Sequence, residues 1–442
     1  MLRYVTRGVL FILGAALPLE TIAYTSYGVL TITPNKAIGL VMLVFGALDL
    51  LVSGIRVPRN PKNYWVAALV VAMAIGCIYG SFLSGTGSSY YVVLWIRYGS
   101  LVTFYFLLCQ LIGSRRDLDA FLYGLVCGGV LAAVSAMVGE AAVHYSVERR
   151  SGVGAGANQH AGNLLLTIPI TYALFLSTRR ALMKPILVGT ALFLSAGVVL
   201  AASRSAFLAA LAMGGVWMLR FRRLSDLRYV ALALLAFLVG ALAAPEAYFD
   251  RIATIGEAIG MLTGSSRGGA GDLTLRLEQL TAGVHAFVSG PFGAGAGNFG
   301  KWASREGYTL AAEYVVHNAI LEVASQYGIV GLVPYLAILV LTWTHLSRVQ
   351  SLARGLRTRR DAELEQLGAR ALMLQIGFLG IAIVAQFQPG FPWKGMWACF
   401  GLSTAILALA QRRAQALRAS DAPTEPLALE RPAVRSLRTD PI

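Results

Sequence analysis

Charged side chains are scarce in this chain: 13% of its 442 residues are Asp, Glu, Lys or Arg, against 57% apolar. A soluble globular domain carries about a quarter charged residues, so that class is excluded. Cysteine is nearly absent as well. Its four copies, Cys77, Cys109, Cys127 and Cys399, sit inside apolar runs, with neither the spacing of a secreted disulfide framework nor that of metal ligands. Packing is their expected role. No Asp-x-Asp pair occurs in the outward loops defined below, so a divalent metal holding a diphosphate is not indicated and no cofactor is expected.

What the chain has in abundance is continuous hydrophobic sequence, with a mean hydropathy of +0.65. Apolar runs of about 18–22 residues recur, each long enough for a helix to cross about 30 Å of hydrocarbon. About twelve such spans are expected. They cover 6–23, 33–53, 64–82, 90–111, 119–139, 159–178, 184–202, 204–221, 228–245, 316–345, 369–387 and 393–410. The runs are unbroken and rich in Leu, Ala and Val, unlike the alternating segments of a membrane β-barrel. The expected class is therefore an all-α integral membrane protein. Its first span begins with Arg3 and Arg7 and lacks a convincing small-x-small cleavage site, so it reads as an uncleaved helix.

A formal net charge of +15 would suggest nucleic acid in a soluble protein, but its placement argues otherwise. Basic clusters follow every second span: Arg56, Arg59 and Lys62; Arg115 and Arg116; Arg179, Arg180 and Lys184; Arg220, Arg222, Arg223 and Arg228; then Arg348 through Arg360. By the positive-inside rule these loops and both termini face the cytoplasm. The chain then divides into nine spans over 1–245, an outward loop over 246–315, three spans over 316–410 and a disordered cytoplasmic tail over 411–442. Outward loops are expected at 24–32, 83–89, 140–158, 203, 246–315 and 388–392. In the long one, "EAYFDRIATIGEAIGML" and "LRLEQLTAGVHAFV" have the spacing of amphipathic helices lying on the membrane surface.

Polar residues that orientation does not explain gather on that outward side. Arg204 and Ser203 form the short turn in "LAASRSAFLAA"; Arg276 lies in "TLRLEQL"; Asn158 and His160 precede the sixth span; His317 and Asn318 open the tenth. Even-numbered spans start outside, so their N-terminal dipoles point at the same region. Two arginines, helix N-termini and neutral donors describe a site for a phosphate or diphosphate. Each residue also has a plainer role: Arg204 as an arginine reaching the interface, Arg276 as a surface charge paired with Glu278 or Asp272, Asn158 and His160 as capping groups. Asn318, Glu322 and Gln326 recur every four residues, a stripe that must face the bundle, where Glu322 and Gln326 would tie helices together. The segment "GPFGAGAGNFG" has no preceding strand, so a turn allowing close backbone approach is favoured over a nucleotide loop.

Taken together, "AASRSAFLAA", "TLRLEQLTAGVHAFVSGPFGAGAGNFG" and "HNAILEVASQYGIVGL" resemble the ligase/polymerase superfamily of bacterial surface polysaccharide assembly, and most closely its O-antigen ligases. The likeness spans most of the second half; in the first half only "ANQHAGNLLLTIPI" is similar. "QYG" stands where the family often has "E-x-G", which weakens any role for an acid there. The resemblance implies a GT-C-like, inverting, metal-independent glycosyltransferase of the bacterial inner membrane. Its donor would be undecaprenyl-diphosphate-linked O-antigen, its acceptor the lipid A core, with membrane lipid and no nucleic acid as surroundings. It carries over His317 as catalytic residue and Arg204 and Arg276 as diphosphate ligands; Ser203, Asn158, His160 and Asn318 are further substrate-contact candidates from their place on the outward side. O-antigen polymerases and protein O-oligosaccharyltransferases share that chemistry with other acceptors. An anionic-lipid transporter is the rival of a different class, although the matching broken helices of two related halves are not visible.

Overall fold

The computed structural model describes residues 2–19, 25–27, 30–32, 34–84, 88–138, 142–144, 147–149, 156–220, 271–310, 315–356 and 361–420. The first half comprises α1 (Leu2–Ala16), α2 (Pro34–Ser53), α3 (Pro61–Ser84), α4 (Ser88–Leu111), α5 (Arg115–Val138) and α6 (Ala157–Ser177). Then come α7 (Met183–Leu200), α8 (Arg204–Arg220), α9 (Gly271–Val288), α10 (Phe299–Arg305), α11 (Ala319–Gly355), α12 (Ala362–Val384) and α13 (Lys394–Ala419). Seven helices among the described residues are long and apolar enough to cross a membrane. Exposed Leu51, Phe82, Ile96 and Leu182 on the outside of the bundle suit hydrocarbon rather than water. Of the expected spans, 228–245 lies outside the described residues, as does "EAYFDRIATIGEAIGML".

Three features depart from the sequence reading. Two short antiparallel hairpins, β1 (Thr25–Tyr27) with β2 (Leu30–Ile32) and β3 (Ala142–His144) with β4 (Val147–Arg149), occupy loops for which no strands were expected. The last helix runs to Ala419, past the expected start of the tail at 411, because Arg413 binds Asp361 at the N-cap of α12 through contacts of 3.1 and 3.2 Å. That Arg413 hydrogen bonding holds the Asp361 carboxyl below the ordinary carboxylate range. Finally, Cys77, Cys109 and Cys399 are buried as expected of packing residues, but Cys127 is exposed.

Small residues bring helices together. A Cβ on Gly124 would lie 2.0 Å from the Phe11 carbonyl oxygen, and one on Gly128 2.1 Å from that of Ala15, so α1 and α5 touch backbone to backbone. Several basic residues of the described alternate loops lie at one end of the bundle, where Arg7 Nε meets Asp117 Oδ1 at 3.0 Å and Arg370 meets Asp119 at 2.8 Å. Lys62, fully buried on α3 near this end, donates to the Phe400 carbonyl at 3.1 Å. Such pairing is what a charge at the margin of hydrocarbon requires.

At the opposite end α11 is not one helix. Gly328 has φ 59° and ψ −154°, which separates a segment of about two turns from the longer remainder of the helix. The break is imposed from outside: the glycine-rich stretch 290–298 wedges between α3 and α11. Ala296 N donates to the Gly76 carbonyl at 2.9 Å and Ala294 N to the Ser325 carbonyl at 2.8 Å. Gly293 and Gly295 supply the positive φ values of 61° and 83° that this path needs. Close backbone approach is thus the role of "GPFGAGAGNFG" in this fold. A Cβ on Gly328 would lie 2.0 Å from the Pro291 carbonyl oxygen, in a conformation already costly for an L-residue. Gly328→Ala is therefore expected to lower the thermal midpoint of the purified protein by several degrees or to prevent its recovery, whereas Gly189→Ala, with open space around it, should leave the midpoint unchanged.

Candidate functional site

His317 immediately precedes α11, and its position follows from how that helix is started. Asn318 is the N-cap, with extended φ −155° and ψ 118°, and its Oδ1 accepts from Leu321 N at 2.9 Å. Its side chain therefore serves the helix first. Beneath it, buried Val316 joins Ala282 and Ala286 of α9, Phe299 and Ala303 of α10, and Leu310 in a small apolar cluster. This cluster lays α9 across the start of α11. His317 Nδ1 then lies 2.9 Å from Gln279 Oε1 and 3.2 Å from the Val315 carbonyl.

Arg276 is one helical turn before Gln279 on α9, on the side that meets His317. The plain reading paired it with Glu278 or Asp272, and the Asp272 side chain lies outside the described residues. Glu278 has its two carboxylate oxygens on Thr309, one accepting from the backbone N–H and the other from the hydroxyl at 2.6 Å. The outer side of α9 carries exposed Leu277, Leu280, Val284 and Val288, an apolar stripe opposite the buried alanines.

The second group surrounds the starts of α6 and α8. Ser203 Oγ donates to Asn158 Oδ1 at 2.8 Å and receives Ala206 N at 3.3 Å, capping the helix whose first residue is Arg204. Arg204 is half-buried. One turn into α6, His160 is completely buried, and neither ring nitrogen finds a hydrogen-bond partner among the described residues. Asn163 was not singled out from the sequence. It shares a face with His160, accepts from Trp393 Nε1 through Oδ1 at 2.9 Å, and has a buried Nδ2 without a hydrogen-bond partner among the described residues. Its signal was the i, i+3 pairing with His160 in "NQHAGN". Gln279 was missed too; only its i+3 spacing from Arg276 marked it.

The two groups share one end of the bundle, opposite the basic end. Residues 388–393 link them, because Trp393 binds Asn163 of α6 while Phe391 N donates to Glu322 Oε2 of α11 at 3.1 Å. Glu322 thus ties chain segments together. Gln326 does likewise, accepting from Gly297 N at 2.8 Å. The polar stripe of α11 is satisfied by backbone groups of two loops, which explains why hydrophilic side chains interrupt an apolar run. The starts of α6, α8 and the short segment of α11 direct their positive dipole ends toward this end, a field suited to an anion. No group of three or more His, Cys, Asp or Glu side chains is arranged as a metal site among the described residues.

Comparison with known proteins bears on the same elements. Residues 189–336 match the family model described as O-antigen ligase. The resemblance to the O-antigen ligase superfamily is therefore shown. The matched third of the chain includes Arg204, Arg276 and His317 and runs from α7 into α11 past the break at Gly328. No curated protein matches the chain. The match carries a ligase/polymerase-type function of glycosyltransferase-like kind, and with the apolar helices it points to a bacterial membrane protein of O-antigen biosynthesis, acting on polysaccharide and lipid substrates.

The tie at Glu322 is directly testable. Glu322→Gln keeps a carbonyl acceptor for Phe391 N and is expected to leave the protein folded and active. Glu322→Ala strands a buried N–H, which costs about 1–3 kcal/mol. The thermal midpoints of the two variants, measured in the same detergent, should differ in that order.

Proposed function

We propose that this protein is an O-antigen ligase of the bacterial inner membrane, with its basic end and both termini in the cytoplasm and the His317 end in the periplasm. In this reading the donor is O-antigen polysaccharide on undecaprenyl diphosphate and the acceptor is a sugar of the lipid A core. His317 removes the proton from the acceptor hydroxyl as that oxygen bonds to the anomeric carbon of the donor. The bond from that carbon to the diphosphate oxygen breaks on the opposite face, so the configuration inverts and undecaprenyl diphosphate leaves with the electron pair. Arg204 and Arg276 hold the diphosphate and stabilise the charge it gains. Ser203, Asn158, His160 and Asn318 position substrate, with the helix N-termini contributing fixed dipoles rather than a metal. Of the expected loop 246–315, the described part 271–310 covers the site, and the lipid tail reaches it from the outer leaflet.

The observation that supports this most is the placement of His317 against α9, the helix that carries Arg276, inside the segment matching the O-antigen ligase family. A base and a cationic grip on the leaving group are the two requirements of the transfer.

Purified protein given carrier-linked glycan and lipid A core should form the new glycolipid without ATP. His317→Ala should lower the rate by about 10²–10⁴-fold, the usual contribution of a general base. Arg204→Ala and Arg276→Ala should each lower it by about 10²-fold or more. Retained transfer by the His317 variant would remove the base assignment, and an absence of any product from the wild type would favour a lipid transporter. In a deletion strain, loss of all capped lipopolysaccharide with accumulated carrier-linked polymer identifies the ligase; single-unit caps identify the polymerase.

A further inference from the structure

We propose that Gln279 is a positioning residue that sets the tautomer of His317, keeping the proton on Nδ1 and the lone pair on Nε2. The inference rests on the reading of His317 as the base and adds which of its atoms does the work and what holds it there. A peptide carbonyl can only accept, so the 3.2 Å contact with Val315 calls for a proton on Nδ1. The Gln279 Oε1 at 2.9 Å receives the same proton. In a neutral imidazole the other nitrogen then carries the lone pair. Nε2 is the atom that takes the acceptor proton.

The amide is held as firmly as the ring. Gln279 is 2% exposed on α9, on the helix side that also buries Ala282 and Ala286. Its oxygen therefore cannot swing into solvent without lifting α9 from the bundle.

Neutrality of the partner has a chemical consequence. A carboxylate at this position would favour the imidazolium and leave less free base at neutral pH. The diphosphate of the donor already pushes the histidine that way. An uncharged acceptor orients the ring without adding a second negative charge. Titratable groups on the elements around the start of α11 are Arg276, Glu278 and His285 of α9, Lys301 and Arg305 of α10, Glu322 of α11 itself, Arg97 of α4 and Lys394 of α13. Glu278 is engaged by Thr309 and Glu322 by Phe391 N, and all of these groups remain in place when Gln279 alone is changed.

Gln279→Glu offers a carboxylate at nearly the same reach. The acid limb of the pH–rate profile should move to higher pH by about one unit, with the alkaline rate and the donor KM little changed. Gln279→Leu should lower kcat about tenfold or more, with KM again nearly constant, while the thermal midpoint reports folding separately. Independently of activity, ¹⁵N NMR of histidine-labelled wild-type protein, with His317 assigned by its loss in His317→Ala, should show the Nδ1–H tautomer. An unmoved acid limb in Gln279→Glu, or a wild-type spectrum of the Nε2–H form, overturns the proposal. Full transfer by His317→Ala would instead overturn the base reading while leaving the tautomer measurement standing.

Discussion

The structure depends on one backbone reversal. With Gly328 at positive φ, the chain accommodates the Pro291 carbonyl where a continuous helix would block it, and the first two turns of α11 become a separate short helix. That short helix has its own N-terminus and its own cap at Asn318, with His317 immediately before the cap. The wedge of glycines between α3 and α11 is what makes the reversal possible. Capping, the direction of the local dipole and the contact of His317 with α9 all descend from it.

Satisfaction of polar groups in an apolar setting is the second organising constraint. Glu322 and Gln326 look like liabilities in a membrane helix until their partners are seen, namely the N–H groups of Phe391 and Gly297. These two loops each leave a backbone donor that water would otherwise satisfy, and α11 supplies the acceptor. The loops that frame the candidate site are thereby fastened to the same short helix that presents His317.

Much of this was legible in the sequence because hydrophobic run length reports directly on helix length in a bilayer. The helical class, the clustering of basic loops at one end and the importance of the 317–326 stripe followed from that logic. The break at Gly328 was not legible, since its cause is a segment 30 to 40 residues earlier in the chain. The β1–β2 and β3–β4 hairpins were missed because three-residue strands give too little alternation to register. Asn318 was read for its chemistry and turned out to cap a helix. Gln279 and Asn163 escaped notice because a neutral amide inside an apolar helix carries no charge pattern; only three-dimensional neighbours reveal its purpose.

The apolar stripe of Leu277, Leu280, Val284 and Val288 on α9 gives that helix two non-aqueous sides, one against the alanine-lined bundle and one away from it. Rolling it about its own axis would tear tight packing on the inner surface and turn greasy side chains toward polar surroundings on the other. Its rotational setting is consequently determined twice, by independent forces. Arg276 and Gln279 inherit an angular accuracy that a merely surface-bound helix would not give them.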